Sequence, residues 1–593
     1  MKPALIFDVE TFGNYFLAGF LHVETGKYLA VESRDDSPLD VEHLRRILRK
    51  HQLVTFNGSH FDLPMTAYAL KGATCAQIKL AAGMIIHRNL QAWQFEDMYG
   101  CKVPKVDHID LIEVAPGVAS LKIYGGRMHC QRMQDLPFDH DDKLTSDQMD
   151  QVLEYNRNDL LTTLELYRRL LPQIHLREQM SEQYGIDLRS KSDAQIAEAV
   201  IVAEIERLAA KKIERLDVDA GTVVRFQVPS VIRFQSAMLQ DKLAEIAAAE
   251  FVVRDNGSIV EPPCLHGQAV DIGAGRYRLG IGGLHSSEQS QAIEADDEYV
   301  LVDRDVASYY PNIILKLGLA PANMGAAFTR VYQGIVDRRL AAKRAGDRVT
   351  ADVLKIVVNG SFGKFGSKYS KLYSPQLLIQ VTITGQLALL MLIEALEQSG
   401  IQVVSANTDG IVIRAKNQYQ VEQIIADWEQ RTGFETEETA YSAIYSRDVN
   451  NYIAIKPDCG HKVKGAYASA SLAKNPTTEI CVQAAIAWLK HGTSIEQTVR
   501  TCRDIRQFVC IRTVKGGAVK GGQRLGRAVR WYYALGVEGT INYQVNGYKV
   551  PGTDGARPLM DLPAEFPDDV NVDFYIRQTQ SILEEIGALA AFR

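Results

Sequence analysis

Apolar residues gather into short runs early in the chain. Leu5–Thr11, Tyr15–Val23 and Val54–Gly58 each read as a strand, and a long helical pattern runs from Ser146 to Leu171. Strands followed by helices over residues 1–175 predict a mixed α/β domain. From Asp193 to Ala210 the apolar positions recur at three and four, so 190–250 is expected to be mostly helical. A strand-rich piece follows around Tyr299–Val302. Two helices are predicted between Phe328 and Gly363, broken at Gly346-Asp347, and a strand pair around Val403–Arg414. The last third mixes a helix near Thr477–Lys490 with a basic, glycine-rich stretch.

At 593 residues the chain is too long for one hydrophobic core, and the pattern predicts a multidomain protein of α/β and α+β parts. Its apolar share of 46% and charged share of 23% are those of a globular protein rather than a disordered one. No uninterrupted apolar run reaches the roughly 18 residues of a membrane span, and Met1-Lys2 leads into an apolar run too short for a secretory signal. No membrane partner is expected. The eight cysteines, Cys75 to Cys510, contain no CxxC pair, which excludes the usual zinc and disulfide frameworks and fits a reducing cytoplasm. The net charge of −6 argues against nucleic acid only on average. Arg503, Arg506, Arg512, Lys515, Lys520, Arg524, Arg527, Arg530 and Lys549 are opposed within their stretch only by Asp504 and Glu538. That is either a solvated face or a region suited to a phosphate backbone.

Asp8 and Glu10 lie two apart on a strand, so both side chains face one side. A lone pair of this kind is usually a solvated strand end. Here Asp62 follows a second strand in Asn57-Gly58-Ser59-His60-Phe61-Asp62, and Tyr155 and Asp159 stand one helical turn apart. Four carboxylates and a tyrosine could hold two divalent metals, whose hard character suits oxygen ligands. In this order the DxE, NxxxFD and YxxxD segments resemble the motifs of the DEDDy 3′→5′ exonucleases, which have a ribonuclease H-like fold. The resemblance implies that Asp8, Glu10, Asp62 and Asp159 bind metal and that Tyr155 orients the attacking water. It also implies that Asn57, Phe61, Ser120 and Leu121 contact the single-stranded 3′ end.

A second set follows. Asp305-Val306-Ala307-Ser308-Tyr309-Tyr310-Pro311 comes directly after a hydrophobic strand, where Asp305 suits either a metal or a helix cap. Lys355, Asn359 and Phe362 share a helix face, and Arg339 and Lys343 are one turn apart on the preceding helix. Three cations on adjacent helices suit a triphosphate, although either helix alone would read as ordinary surface charge. Asn407-Thr408-Asp409-Gly410 forms a hairpin tip that would present Asp409 beside Asp305, and Lys464-Gly465-Ala466-Tyr467 lies beyond it. In order these segments resemble the polymerase motifs of family B DNA polymerases, with Gly280–Leu284 similar to the glycine-rich motif between exonuclease and polymerase.

The resemblance implies a ribonuclease H-like exonuclease over 1–180, then a right-hand polymerase. Its parts would be linker helices and early palm over 181–324, fingers over 325–365, palm over 366–467 and a DNA-binding thumb over 468–593. Asp305 and Asp409 would be the metal-binding carboxylates, and Tyr310 the steric gate against a ribose 2′-OH. Arg339, Lys343 and Lys355 would hold the triphosphate, with Asn359 and Phe362 lining the nucleotide pocket. Lys464 and Tyr467 would hold the primer terminus. Gly282, Gly283, Lys515, Lys520 and Arg524 would touch DNA. Two Mg²⁺ per active site are implied, with Mn²⁺ as the alternative. Primer–template DNA and dNTPs are the implied partners, other replication proteins are allowed for, and a monomer is expected.

Three departures matter. Asn407 stands where the pattern has its first Asp, which leaves open an inactive polymerase region and therefore a dedicated 3′→5′ exonuclease whose remainder only binds DNA. A non-catalytic scaffold would be expected to have lost some of Asp8, Glu10, Asp62 and Asp159, yet all four are present. Gly360 and Phe362 stand where the pattern has Ser and Tyr. The fifty residues from Asp305 to Lys355 leave room for two finger helices without the insertion of protein-primed members, so priming from an ordinary 3′ end is expected. The chain also opens directly on the exonuclease motifs, a compactness that resembles bacteriophage replicative polymerases and would place the protein in the host-cell cytoplasm.

Overall fold

The structure, a computed structural model, describes residues 2–34, 37–133, 135–136, 138–139 and 141–591. They divide into two units. One draws on 1–192, 469–481 and 499–576, the other on 193–468, 482–498 and 577–593. The stretch expected to be a thumb is thus shared between them, and its last two residues, Phe592 and Arg593, lie outside the described residues.

In the first unit the elements run β1 (Ala4–Phe12), β2 (Tyr15–His22), β3 (Tyr28–Arg34), α1 (Val41–Lys50), β4 (Gln52–Thr55) and α2 (Asp62–Leu70). They continue with α3 (Cys75–Arg88), α4 (Ala92–Tyr99), β5 (Asp107–Asp110), α5 (Leu121–Arg127) and α6 (Ser146–Tyr184). The sheet order is β3-β2-β1-β4-β5, with β1 antiparallel to β2 and parallel to β4. Strand alternation sets the two faces of β1. Leu5, Phe7 and Val9 join a core with Leu44 and Ile47 of α1 and Ile78 of α3. Ile6 packs on the other face with Leu160 and Leu164 of α6, and Asp8 and Glu10 continue that face. The helix predicted to end at Leu171 runs on through Pro172 to Tyr184. Burial of Ile174, Arg177 and Met180 holds the extension, and Arg177 Nε donates to the Lys191 carbonyl at 2.9 Å. Proline costs a helix one hydrogen bond, which this packing offsets.

The second unit begins with α7 (Asp193–Ala209), β6 (Val223–Val224), α8 (Ala237–Ala248) and β7 (Phe251–Val252). Residues 210–236 carry no helix, contrary to the expectation for 190–250. Gly221, the β-branched pair Val223-Val224 and Pro229 interrupt the pattern, and the Gln380 amide clamps the segment by bonding both the N–H (3.0 Å) and the carbonyl (2.6 Å) of Gln227. Next come β8 (Ala269–Ile272), β9 (Gly275–Arg278), β10 (His285–Ser286), β11 (Gln291–Glu294), β12 (Val300–Val306), α9 (Tyr309–Lys316), α10 (Gly325–Ala345), α11 (Arg348–Phe362) and α12 (Pro375–Gln398). The unit then adds β13 (Gln402–Asn407), β14 (Gly410–Ala415), α13 (Gln418–Thr432), β15 (Thr436–Tyr441), β16 (Ala443–Asp448), β17 (Asn451–Ile455) and β18 (His461–Val463).

A seven-stranded antiparallel sheet, β15-β12-β14-β13-β10-β9-β8, is the unit's centre, beside a four-stranded sheet β11-β16-β17-β18. By length and composition α12 could cross a membrane, but 89% of its apolar window is buried inside the protein. Its polar residues act as internal brackets: Gln386 bonds the Gly280 backbone and Glu394 accepts from the N–H groups of Gln235 and Ser236. Apolar composition here reflects a core helix.

The basic stretch returns to the first unit as a hairpin, β19 (Cys510–Lys520) and β20 (Gln523–Tyr533), flanked by β21 (Asn542–Tyr543) and β22 (Ala556–Pro558). Ile511 packs with Ile123 of α5 and Met133. Arg530, read from sequence as part of a DNA-facing cluster, is fully buried and donates to the carbonyls of Cys130, Gln131, Leu559 and Met560. It serves the fold.

Candidate active sites

In the first unit α6 brings Tyr155, Asn156 and Asp159 across β1. The ligand oxygens of Asp8, Glu10 and Asp159 all lie within 4.8 Å of one another. Asp62, at the start of α2, joins them through the neighbouring backbone, its Oδ1 accepting from the Val9 N–H at 2.8 Å. Burial, with the Asp159 charge second, pushes the Asp8 carboxyl up to about 7. Burial and then Asp8 hold Glu10 well above its ordinary range, and burial, Asp8 and Asp110 do the same to Asp62. Three crowded oxygen donors, with Asp62 beside them, resist shedding their protons and so fit a hard divalent cation, which supplies the charge they lack.

Two residues that sequence reasoning missed organise the cluster. Asn156 Nδ2 donates to Asp8 at 2.9 Å. Its route is kept open by Gly19, paired with Asp8 on β2, because a Cβ there would lie 1.8 Å from the Asn156 oxygen. Lys122 Nζ donates to Asp159 and sits 4.1 Å over the Tyr155 ring. Burial, followed by the Asp159 charge, holds the Tyr155 phenol well above its ordinary value, so it stays a protonated donor. The predicted neighbours Ser120 and Leu121 have structural contacts: Ser120 caps α5 and Leu121 packs against the core. The next residue in the chain is the one that reaches the carboxylates.

Asn57 takes a left-handed conformation (φ 67°), which asparagine tolerates better than most residues. Asp110 on β5 shapes this loop by accepting from the N–H groups of Asn57 (2.7 Å) and Ser59 (2.9 Å). Phe61 is the half-buried residue just before α2. In the same unit Arg132, Met133, Asp135, Leu136, Arg524 and Gln544 line a cleft. Arg524 and Lys515 are exposed, while Lys520 spends its ammonium on the Ala556 carbonyl at 2.7 Å.

In the second unit Asp305 pairs with Gly410 across β12 and β14, and the Val306 N–H donates to the Asp409 carbonyl at 2.7 Å. Gly410 leaves room for the Asp305 carboxylate, because a Cβ there would lie 2.2 Å from Asp305 Oδ1 and displace it. Burial and then the Asp303 charge raise Asp305. Burial raises Asp409 too, with Lys464 and Lys462 opposing it. Lys462 and Asp303 were not foreseen. Lys462 Nζ lies 3.0 Å from Asp303 and 3.6 Å from Asp305, and the buried Asp303 also accepts from Tyr441 at 2.6 Å. Asp305 and Asp409, each raised by burial and each opposed by the Lys462 charge, are oxygen donors of the kind a hard divalent cation takes.

Around this pair the predicted nucleotide residues converge in part. The Tyr310 ring lies 4.3 Å from Phe362, and its hydroxyl donates to the Gly282 carbonyl at 3.2 Å. Gly283 backs onto Thr408, where a Cβ would lie 2.8 Å from the Thr408 hydroxyl. Arg339 reaches Ser308 Oγ at 3.4 Å, which ties α10 to the turn after Asp305. Lys343, Lys355 and Asn359 stand exposed on α10 and α11. Lys464 lies beside β17 through its N–H bond to Tyr452. Tyr467 is placed instead in the core, 3% exposed, with its hydroxyl toward Glu585.

A family profile described as the RNase H superfamily matches residues 5–171, so the strands and helices carrying the four carboxylates form an RNase H-like domain within a multidomain α/β chain. A curated relative, DNA polymerase 1 of Sulfurisphaera ohwakuensis, is 25% identical over 122 residues, which take in 20% of this chain and 14% of that protein's length. Among solved structures, the family B DNA polymerase of the archaeon Pyrobaculum calidifontis aligns with 99% of this chain and 78% of that one, at 15% identity and a TM-score of 0.41.

Proposed function

We propose that the chain is a template-directed DNA polymerase that extends a primer 3′ end with dNTPs and carries its own 3′→5′ proofreading exonuclease. The observation that carries the reading is the pairing that sets Asp305 on β12 against the β13–β14 turn holding Asp409, with the Val306 N–H bonded to the Asp409 carbonyl, together with the Tyr310–Phe362 ring pair and Arg339. A second, independent set of acids in the RNase H-like domain supports the hydrolytic activity.

Phosphoryl transfer needs positioning and charge neutralisation more than covalent help. Divalent metal ions, Mg²⁺ or Mn²⁺ and two at each site, supply when bound the charge that neutralises the phosphate and acidifies the attacking hydroxyl or water. Asp305 and Asp409 would hold them in the polymerase site, and Asp8, Glu10, Asp62 and Asp159 in the exonuclease site. Arg339, Lys343 and Lys355 bind the triphosphate, and the Tyr310 ring bars a ribose 2′-OH. In the exonuclease, Tyr155 orients the attacking water, while Lys122 restrains Asp159 and the ring together. The substrates are primer–template DNA and dNTPs, the enzyme works as a monomer in the cytoplasm, and its setting is phage DNA replication.

Primer extension on a labelled primer–template with Mg²⁺ and four dNTPs tests this. The wild type should extend, Asp409→Ala should only degrade, and Asp8→Ala should extend without degrading. A wild type that only shortens the primer at every dNTP concentration would leave a dedicated exonuclease.

A further inference from the structure

Asn407 occupies the tip of β13, two residues before Asp409, and its side chain has a defined partner set. Nδ2 donates to the Val449 carbonyl at 3.2 Å and to Asn450 Oδ1 at 3.2 Å, while Oδ1 accepts from the Thr408 hydroxyl at 3.1 Å. A peptide carbonyl only accepts, so residue 407 must donate. A carboxylate there would set negative oxygen against the Val449 carbonyl and could keep Asn450 only if that amide turned to offer its Nδ2.

The turn that Asn407 grips is itself organised. Asp448 accepts from the Asn450 N–H (2.9 Å) and from Asn451 Nδ2 (2.7 Å). Asn451 Oδ1 in turn accepts from the Ala466 N–H at 2.7 Å. Gly465 sits so close that a Cβ would lie 2.1 Å from the Asn450 carbonyl. The side of the hairpin that leads to Asp409 is fixed as well: the Thr408 N–H donates to the Leu284 carbonyl at 2.7 Å and the Asp409 N–H to the Asn407 carbonyl at 2.6 Å. One amide therefore joins the segment bearing Asp409 to the turn that cradles the Lys464–Tyr467 segment.

We propose that Asn407 is a positioning residue, a hydrogen-bonded strap that fixes the Asp409 hairpin against the Asp448–Asn451 turn, and that its function requires a donor. This rests on the polymerase reading above. The rival is that 407 is a metal-ligand position weakened by its amide, and the two readings predict opposite signs for Asn407→Asp.

Steady-state primer extension with full-length wild type, Asn407→Asp and Asn407→Ala separates them. The strap predicts that Asn407→Asp lowers kcat by about 10- to 100-fold, at least as much as Asn407→Ala. The KM for dNTP should change little, because the triphosphate cations lie on α10 and α11. The half-saturating Mg²⁺ concentration should not fall, because the hairpin bearing Asp409 is loosened rather than given a further ligand. Single-strand exonuclease activity should be retained, as its residues lie in the other unit. Asn407→Asp at or above the wild-type rate, with a lower Mg²⁺ requirement, would overturn the strap in favour of the ligand, and wild-type rates in both variants would overturn it outright. If the wild type does not extend at all, the polymerase reading fails, and hydrogen exchange then decides the strap alone. Faster exchange of peptides within 447–467 in Asn407→Asp, with an unchanged melting temperature, supports it, and unchanged exchange sinks it.

Discussion

Lys122 shows what a single residue adds to a cluster of acids. It is a cation in contact with Asp159 and it covers the Tyr155 ring, so it fixes together the two groups on α6 that the proposed hydrolysis uses. Removing it should leave Asp159 more strongly repelled by its neighbours and Tyr155 free to turn. Lys122→Met is expected to lower exonuclease turnover by about 10- to 100-fold while primer extension proceeds unchanged. Degradation of a labelled single strand and extension of a paired primer, run on one preparation, check both halves. A wild-type exonuclease rate in Lys122→Met would reduce the contact to packing. Asp8, Glu10, Asp62, Tyr155 and Asp159 were legible because each sits in a motif with its own spacing. Lys122, Asn156 and Lys462 were not, since what marks them is a partner from a distant segment. The same holds for Gly19, whose need is set by Asn156.

Among the elements, the two helices between Phe328 and Gly363 were read from sequence, whereas α12, apolar nearly all round, was not. The α10–α11 pair breaks at Gly346-Asp347, where Asp347 caps α11 by accepting from the Thr350 N–H. Residues 210–236 and the run of α6 beyond Pro172 were misread, because tertiary brackets such as Gln380 and the buried face of α6 decide them rather than local pattern. Gly360 belongs with these. A Cβ there would lie 2.6 Å from the backbone carbonyl of Asp193, so glycine lets the start of α7 lie directly on α11. Placing there the serine of the polymerase pattern that the segment resembles should therefore do harm. Gly360→Ser is expected to cost roughly 1–3 kcal/mol of stability, the usual penalty of overpacking. It should also raise the KM for dNTP, because the Lys355–Asn359–Phe362 face moves with α11. Urea unfolding and a dNTP titration would show it, and an unchanged KM would detach that face from nucleotide binding.

At the scale of the whole molecule, each of the two units carries its own acid cluster, and the return of β19 and β20 to the first unit had no signature in the sequence. Contacts such as Arg530 with the Cys130 carbonyl join residues 400 apart in the chain. The acids couple the stability of the fold to pH and to metal. Asp8 titrates at about 7 in the metal-free fold against an ordinary value of 3.8, and Glu10, Asp62 and Asp159 are raised with it, burial being the first cause in each. Between those two values the folded protein binds more protons than the unfolded chain. Its stability must therefore fall as pH rises through the window, while below pH 3.8 the contribution of Asp8 is fully present. Divalent metal binds the deprotonated acids and not the unfolded chain, so it should restore the lost stability most where the acids have lost their protons. Calorimetric melting of the metal-free protein should show the first unit melting lower at pH 8 than at pH 5. Mg²⁺ should raise that transition more at pH 8, and Asp8→Asn should flatten both effects. A metal-free transition that rises from pH 5 to pH 8 would mean that the carboxylates are paid for by partners within the fold, and that the cluster does not need a cation to hold its charge.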